Sequence, residues 1–203
     1  MSAIKTIGKL AAVIVAVIAP ALGQNQWQPV PAASGTAFRA SVGYTSVTMA
    51  FNGAGHANLN GINGSASLDF SPRWGGTLDA TYARASDVVG TPHPAYLASL
   101  LAGPAFYPFD HRSSRVFLHA LVGAGAVDGA LPKSATEYRH GYVVGPSYAF
   151  GGGFEHPMFG PLTMRIAADY LRTSFIDTAG VIQPQNNLRL SLGFVFPSHR
   201  RSF

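Results

Sequence analysis

Large apolar residues recur at every second position along most of this chain. The last such run is the clearest: Leu188, Leu190, Leu192, Phe194 and Phe196 alternate with Arg189, Ser191 and Gly193. Successive side chains of an extended strand point to opposite faces, so this run has one greasy face and one polar face. The same period marks Ile62, Gly64, Ala66, Leu68 and Phe70 against Asn63, Ser65, Ser67 and Asp69. Leu78, Ala80 and Tyr82 stand against Thr77, Asp79 and Thr81, and Val116, Leu118, Ala120 and Val122 against Phe117, His119 and Leu121. Leu162, Met164, Ile166, Ala168 and Tyr170 oppose Thr163, Arg165, Ala167 and Asp169.

These runs predict eight strands, near 37–51, 59–70, 74–82, 96–107, 115–124, 142–154, 162–171 and 188–196. The fourth is the least regular and contains Gly103-Pro104, where proline cannot donate a ladder hydrogen bond. Connections alternate between long polar loops and short turns such as Ser71-Pro72-Arg73, where proline preorganises the bend.

Composition decides what the greasy faces meet. Charged residues make up 11% of the 203 residues, against roughly 25% in soluble domains. That is too few to cover a soluble surface, yet no internal run approaches the roughly 20 apolar residues of a membrane helix. The remaining membrane solution is a closed barrel. Ten residues at about 3.3 Å each, tilted by roughly 45°, rise about 23 Å, close to an apolar band of about 25 Å. The expected fold class is therefore all-β: an eight-stranded antiparallel up-and-down transmembrane β-barrel with both ends on one side. Aromatic residues fall in two groups, as membrane boundaries favour. Phe38, Phe70, Trp74, Phe106, Tyr107, Phe154, Phe159, Phe194 and Phe196 lie toward the short turns, and Phe51, Tyr82, Tyr96, Tyr142, Tyr170 and Phe175 toward the long loops.

Residues 1–23 read as a secretory signal peptide, with Lys5 and Lys9 ahead of a short apolar run and small residues before a cleavage point at Gln24. Residues 24–34, with two prolines, read as an exposed periplasmic lead-in, 35–197 as the barrel and 198–203 as a short tail. There is no cysteine, which excludes disulfides and thiolate metal sites. Basic residues are scattered, which argues against nucleic acid as a partner.

An arginine or lysine facing lipid at mid-membrane costs about 2 to 4 kcal/mol. The strand phase therefore sends Arg39, Asp69, Asp79, Arg165, Asp169 and Arg189 inward, with His119 and Glu155 beside them, as a structural polar network filling the lumen. An eight-stranded interior is just wide enough for side chains to fill. A narrow pore for small solutes or ions is the alternative. A soluble barrel with an apolar cavity would reverse the orientation, putting Arg165 and Arg189 in water. Histidines in the long loops, His56, His93 and His140, have serines such as Ser86, Ser99 and Ser147 near them only in sequence, and no spacing singles out a catalytic set. His111, His156 and His199 lack a metal spacing, and no cofactor is implied. The glycines at 151–153 lack the lysine of a phosphate loop and read as a place of close packing. Arg84, Lys133, Arg139 and Arg172 lie in the outer loops, where they could meet lipid phosphates.

The pieces FRASVGYTSV, NLNGINGSASLDFSPRWGGTLDATYAR, LLAGPAFYPF, FGGGFE, MRIAADYLRTSF and QNNLRLSLGFVF resemble, in order, the small outer-membrane β-barrel proteins related to the OmpA and OmpX transmembrane domains. The resemblance runs from about Phe38 to Phe196. It implies a bacterial outer-membrane location and a structural or surface-interaction role; some small barrels of this membrane are enzymes using histidine with serine near the outer rim, but with no catalytic spacing in this chain the expectation is a non-enzyme. As partners it implies outer-membrane lipid, including lipopolysaccharide-type phosphates, and the assembly machinery, for a monomeric barrel. Members commonly end on an aromatic residue that this machinery reads; here Phe196 closes the strand and Phe203 ends the chain.

Overall fold

The alternation resolves into eight strands in the computed structural model, which describes residues 37–51, 55–87, 93–111, 114–132, 138–159, 162–176 and 180–197. They are β1 (Ala37–Phe51), β2 (Gly55–Asp69), β3 (Trp74–Ala85), β4 (Ala95–His111), β5 (Ser114–Pro132), β6 (Tyr138–Phe159), β7 (Leu162–Ile176) and β8 (Ile182–Pro197). Each pairs antiparallel with the next, and β8 returns to β1, with partners from Arg39 and Pro197 to Met49 and Asn187, so the sheet is a closed barrel. Closure removes every ladder edge, the condition a strand must meet to sit in hydrocarbon. The leader, the lead-in and the tail after residue 197 lie outside the described residues.

The faces follow the phase. Leu188, Leu190, Leu192 and Phe194 are about half exposed on the outside, as are Ile62, Leu68, Phe150 and Ile166, while Arg189 between them is 1% exposed. Tyr44, Tyr142, Tyr148 and Tyr170 are exposed toward the loop end, and Phe70, Trp74, Phe109, Phe159 and Phe194 toward the turn end. Tyr107 departs from the expected belt: it is buried in the lumen. Of the predicted outer-belt residues, the side chains of Phe51 and Phe175 lie outside the described residues.

Strands run further than the alternation predicts, chiefly at the loop end, and β4 and β6 also run on at the turn end, to His111 and Phe159 rather than 107 and 154. β5 and β6 have 19 and 22 residues and remain paired to Pro132 and Tyr138, where a long loop over 125–141 was expected. β2 likewise begins at Gly55 and β8 at Ile182. Past the bilayer, backbone pairing continues while the outward positions become polar, such as Asn58, Asn60 and Asn186. The pattern in side chains then ends before the strand does.

Several lumen-side glycines let strands approach. A Cβ on Gly153 would stand 2.0 Å from the Ile166 carbonyl oxygen and 2.7 Å from the Phe117 ring; on Gly151 it would stand 2.2 Å from Asp169 Oδ1. Proline interrupts β4 as anticipated: its ladder with β5 holds at Ala102–Val122, resumes at Ala105–His119 and shifts register between Phe106 and Phe109. At the short turn, Phe70 and Ser71 donate backbone N–H groups to the Trp74 carbonyl, and Tyr107 donates to that of Arg73.

Candidate functional site

Inward positions of the strands build two ion-pair layers across the barrel. Near the turn end, Arg39 of β1 donates from Nη1 to Glu155 Oε2 of β6 (2.5 Å) and from Nη2 to Asp69 Oδ1 (3.1 Å) and Tyr107 Oη (2.6 Å). Its Nε lies 3.1 Å from Asp69 Oδ2 but lacks a hydrogen-bond alignment. Arg115 donates to Asp69 Oδ2 (2.9 Å) and Arg165 to Glu155 Oε1 (3.0 Å). Two guanidinium groups also cover rings: Arg115 lies 3.5 Å from the Tyr107 centroid and Arg165 3.9 Å from that of Phe117, an attraction that strengthens away from water.

Deeper in, Arg189 of β8 spans the lumen. Nη1 donates to Asp79 Oδ1 (2.5 Å) and Thr81 Oγ1 (2.6 Å) of β3, and Nε to Asp169 Oδ2 (2.9 Å) of β7. Asp169 Oδ1 is 2.7 Å from His119 Nε2 of β5, and Asn63 donates to Asp79 Oδ2 (2.9 Å). The first layer holds three arginines against two carboxylates, the second one arginine and a histidine against two. Together the four arginines and four carboxylates balance, which offsets the large cost of burying any one of them.

The lumen is not polar throughout, contrary to the sequence expectation. Toward the loop end it is lined by Val47, Met49, Leu59, Leu97, Leu101, Leu121, Val127 and Leu171, all at most 4% exposed. A polar strip on the β4–β8 side faces them, where Asn187 donates to Thr173 Oγ1 (3.0 Å). In this strip Ser99 Oγ, Ser147 Oγ and Asn187 Oδ1 have no hydrogen-bond partner among the described residues.

The outer rim carries tyrosine and arginine together. Arg84 sits 5.5 Å from the Tyr96 ring and Arg172 5.8 Å from that of Tyr148. Tyr44 donates to Asn60 Oδ1 and Tyr170 to Asn186 Oδ1, both at 2.6 Å. Between β2 and β3 a notch of about 530 Å³ is lined by His56, Ala57, Asn58, Asn60, Arg84, Ala85, Ser86 and Asp87.

All eight residues of the expected network, Arg39, Asp69, Asp79, His119, Glu155, Arg165, Asp169 and Arg189, thus point into the lumen and meet one another. Sequence reasoning missed Arg115 and Tyr107. Arg115 shares the phase of Phe117 and His119, a signal present but masked by its place at the strand start. Of the histidine and serine candidates, His56 and Ser86 line the outer notch together, whereas Ser99 and Ser147 are buried in the lumen, on the other side of the wall from His56. Lys133 and the side chains of Arg139, His140 and His111 lie outside the described residues, as does His199.

With closure, orientation and lumen in view, the comparisons decide the family. Residues 10–196 match the outer membrane protein beta-barrel domain family. The chain belongs to this family. It is a bacterial outer-membrane β-barrel protein, with the short turns facing the periplasm as in other such barrels. Among solved structures it is similar to Ail, the attachment invasion locus protein of Yersinia pestis, at 22% identity and TM-score 0.55, covering 81% of this chain and 100% of that one. Neisserial surface protein A is similar at 14% identity and TM-score 0.56, covering 80% and 97%. OprG from Pseudomonas aeruginosa is similar at 12% identity and TM-score 0.53, covering 82% and 97%. These identities carry the fold alone. Among curated proteins none matches the chain.

Proposed function

We propose that this outer-membrane barrel is a closed, non-enzymatic scaffold that presents its outer rim for surface contacts, its lumen sealed by the two ion-pair layers. Arg189 carries the reading: a guanidinium 1% exposed that ties β3 to β7 and β8 occupies the cross-section a solute would need. The apolar half-lumen above it adds a second barrier. Arg84 and Arg172, each beside a tyrosine at the outer boundary, suit contact with outer-leaflet phosphates, since cations there gain from a negative surface. Structures of Ail include one with the heparin analogue sucrose octasulfate, at 21% identity and TM-score 0.54, a precedent for polyanion binding on this fold. The same reading has the leader 1–23 removed on export, the barrel monomeric, and Phe196 or Phe203 read by the assembly machinery.

A narrow pore is the second reading, favoured by Ser99 Oγ, Ser147 Oγ and Asn187 Oδ1, which have no partner among the described residues and suit water on the polar strip. Reconstitution into a planar bilayer separates the two. The wild-type protein should give no unitary current steps; reproducible steps from it would establish the pore and overturn the closed scaffold.

A further inference from the structure

The β2–β3 ladder ends at Asn60–Arg84. β2 nevertheless continues beside β1 to Gly55, and β3 beside β4 to Ala85. β3 thus ends one residue past the ladder while β2 runs five residues further, and the notch of about 530 Å³ lies where their pairing stops. Ala57 and Ala85 turn their side chains into the apolar cluster of the lumen beneath it, while His56, Asn58, Asn60 and Arg84 are exposed on the outer side.

Donors dominate the end of the notch next to the last ladder pair. Asn60 Oδ1 is taken by the Tyr44 hydroxyl and Asn58 Oδ1 by the Thr48 hydroxyl (2.9 Å), so each amide has its NH₂ left to give. Arg84 stands opposite Asn60 in register and is steadied over Tyr96. A guanidinium and two carboxamide donors with their acceptors occupied are suited to an oxyanion. Further from the ladder, His56 on β2 and Ser86 and Asp87 just past β3 offer acceptors. A carboxylate there disfavours a bare anion but suits the hydroxyls of a sugar that carries one.

Position selects the source. The notch begins where the outer tyrosines Tyr44, Tyr82 and Tyr96 end, the height of lipid headgroups, and it opens outward. Building on the surface-contact reading above, we propose that this notch binds a sugar-borne phosphate, that of an outer-leaflet glycolipid headgroup.

The test uses the folded full-length protein in phosphatidylcholine nanodiscs doped with diphosphorylated lipid A or with its dephosphorylated form, with sucrose octasulfate as a soluble polyanion. Binding is read by native mass spectrometry, and folding by the mobility of unheated protein on a denaturing gel. The wild type should prefer the phosphorylated lipid. Arg84→Gln should weaken that preference roughly tenfold, as loss of a charged hydrogen-bond donor implies. Asn58→Ala with Asn60→Ala should weaken it severalfold, and Arg73→Gln, the same charge loss at the opposite rim, should leave it within about twofold. Equal affinity for both lipids, or an Arg84→Gln protein that binds like the wild type, overturns the site. Arg84-dependent binding of sucrose octasulfate without lipid preference overturns the headgroup source. A silent bilayer recording alongside either failure leaves the closed scaffold standing, whereas current steps from the wild type sink that reading independently.

Discussion

Arg189 illustrates how a single side chain governs the interior. Replacing it by leucine would remove one positive charge and leave Asp79 and Asp169 facing each other out of water, the situation that makes breaking a buried pair cost about 3 to 5 kcal/mol. Urea unfolding in lipid vesicles should show Arg189→Leu destabilised by that order, and adding Asp79→Asn and Asp169→Asn should recover most of the loss. Unchanged stability of the single variant would mean the layer carries no energy. The inward phase of this arginine was legible in Leu188-Arg189-Leu190, because lipid admits only apolar groups on the outer face. Its partners were not, since pairing depends on register between strands as distant as β3 and β8. Tyr107 was misplaced for a related reason: an aromatic residue satisfies both the belt and the lumen, and only its hydroxyl, taken by Arg39, decides between them.

At the scale of the strand, the bilayer writes the pattern and then stops. β8 shows this within a few residues: Leu190 lies in the apolar band, whereas Asn186 is already beside the Tyr170 hydroxyl at the boundary. Leu190→Lys should cost about 2 to 4 kcal/mol in a vesicle-unfolding measurement and Asn186→Lys about 0 to 1; similar values would show that β8 does not cross the membrane at this depth. The same change of solvent explains why the ends of β2, β5, β6 and β8 were underread, because beyond the headgroups water accepts polar residues on both faces. In β4 the difficulty was the reverse. Tyr96-Leu97-Ala98-Ser99-Leu100-Leu101 is apolar on both sides because Leu97 and Leu101 fill the upper lumen, and alternation vanishes when both neighbours are greasy. The notch left no trace in the chain, since it exists only where the β2–β3 ladder ends and β2 continues beside β1.

For the whole molecule, everything depends on which face meets lipid. Spin labels at positions 166 and 192 should be relaxed strongly by a lipid-soluble collider, and labels at 165 and 189 should be shielded from it. The opposite result would turn the barrel inside out and make it a soluble container. The strand count, order and facing could be read before any coordinates, because an uncharged outer surface and obligatory backbone pairing leave few alternatives. What the interior holds, and how its two layers share charge, required the closed sheet.

That closure has a consequence for biogenesis. The seam between β1 and β8 joins residues some 140 positions or more apart, so the first strand to be made has one flank waiting for the last. A chain cut short before Ile182 is therefore not a seven-stranded version of the same object. It has two raw flanks of unmet amide and carbonyl groups that hydrocarbon will not tolerate, and Asp169 loses its arginine. Insertion should be all-or-none, with truncated chains left to periplasmic proteolysis.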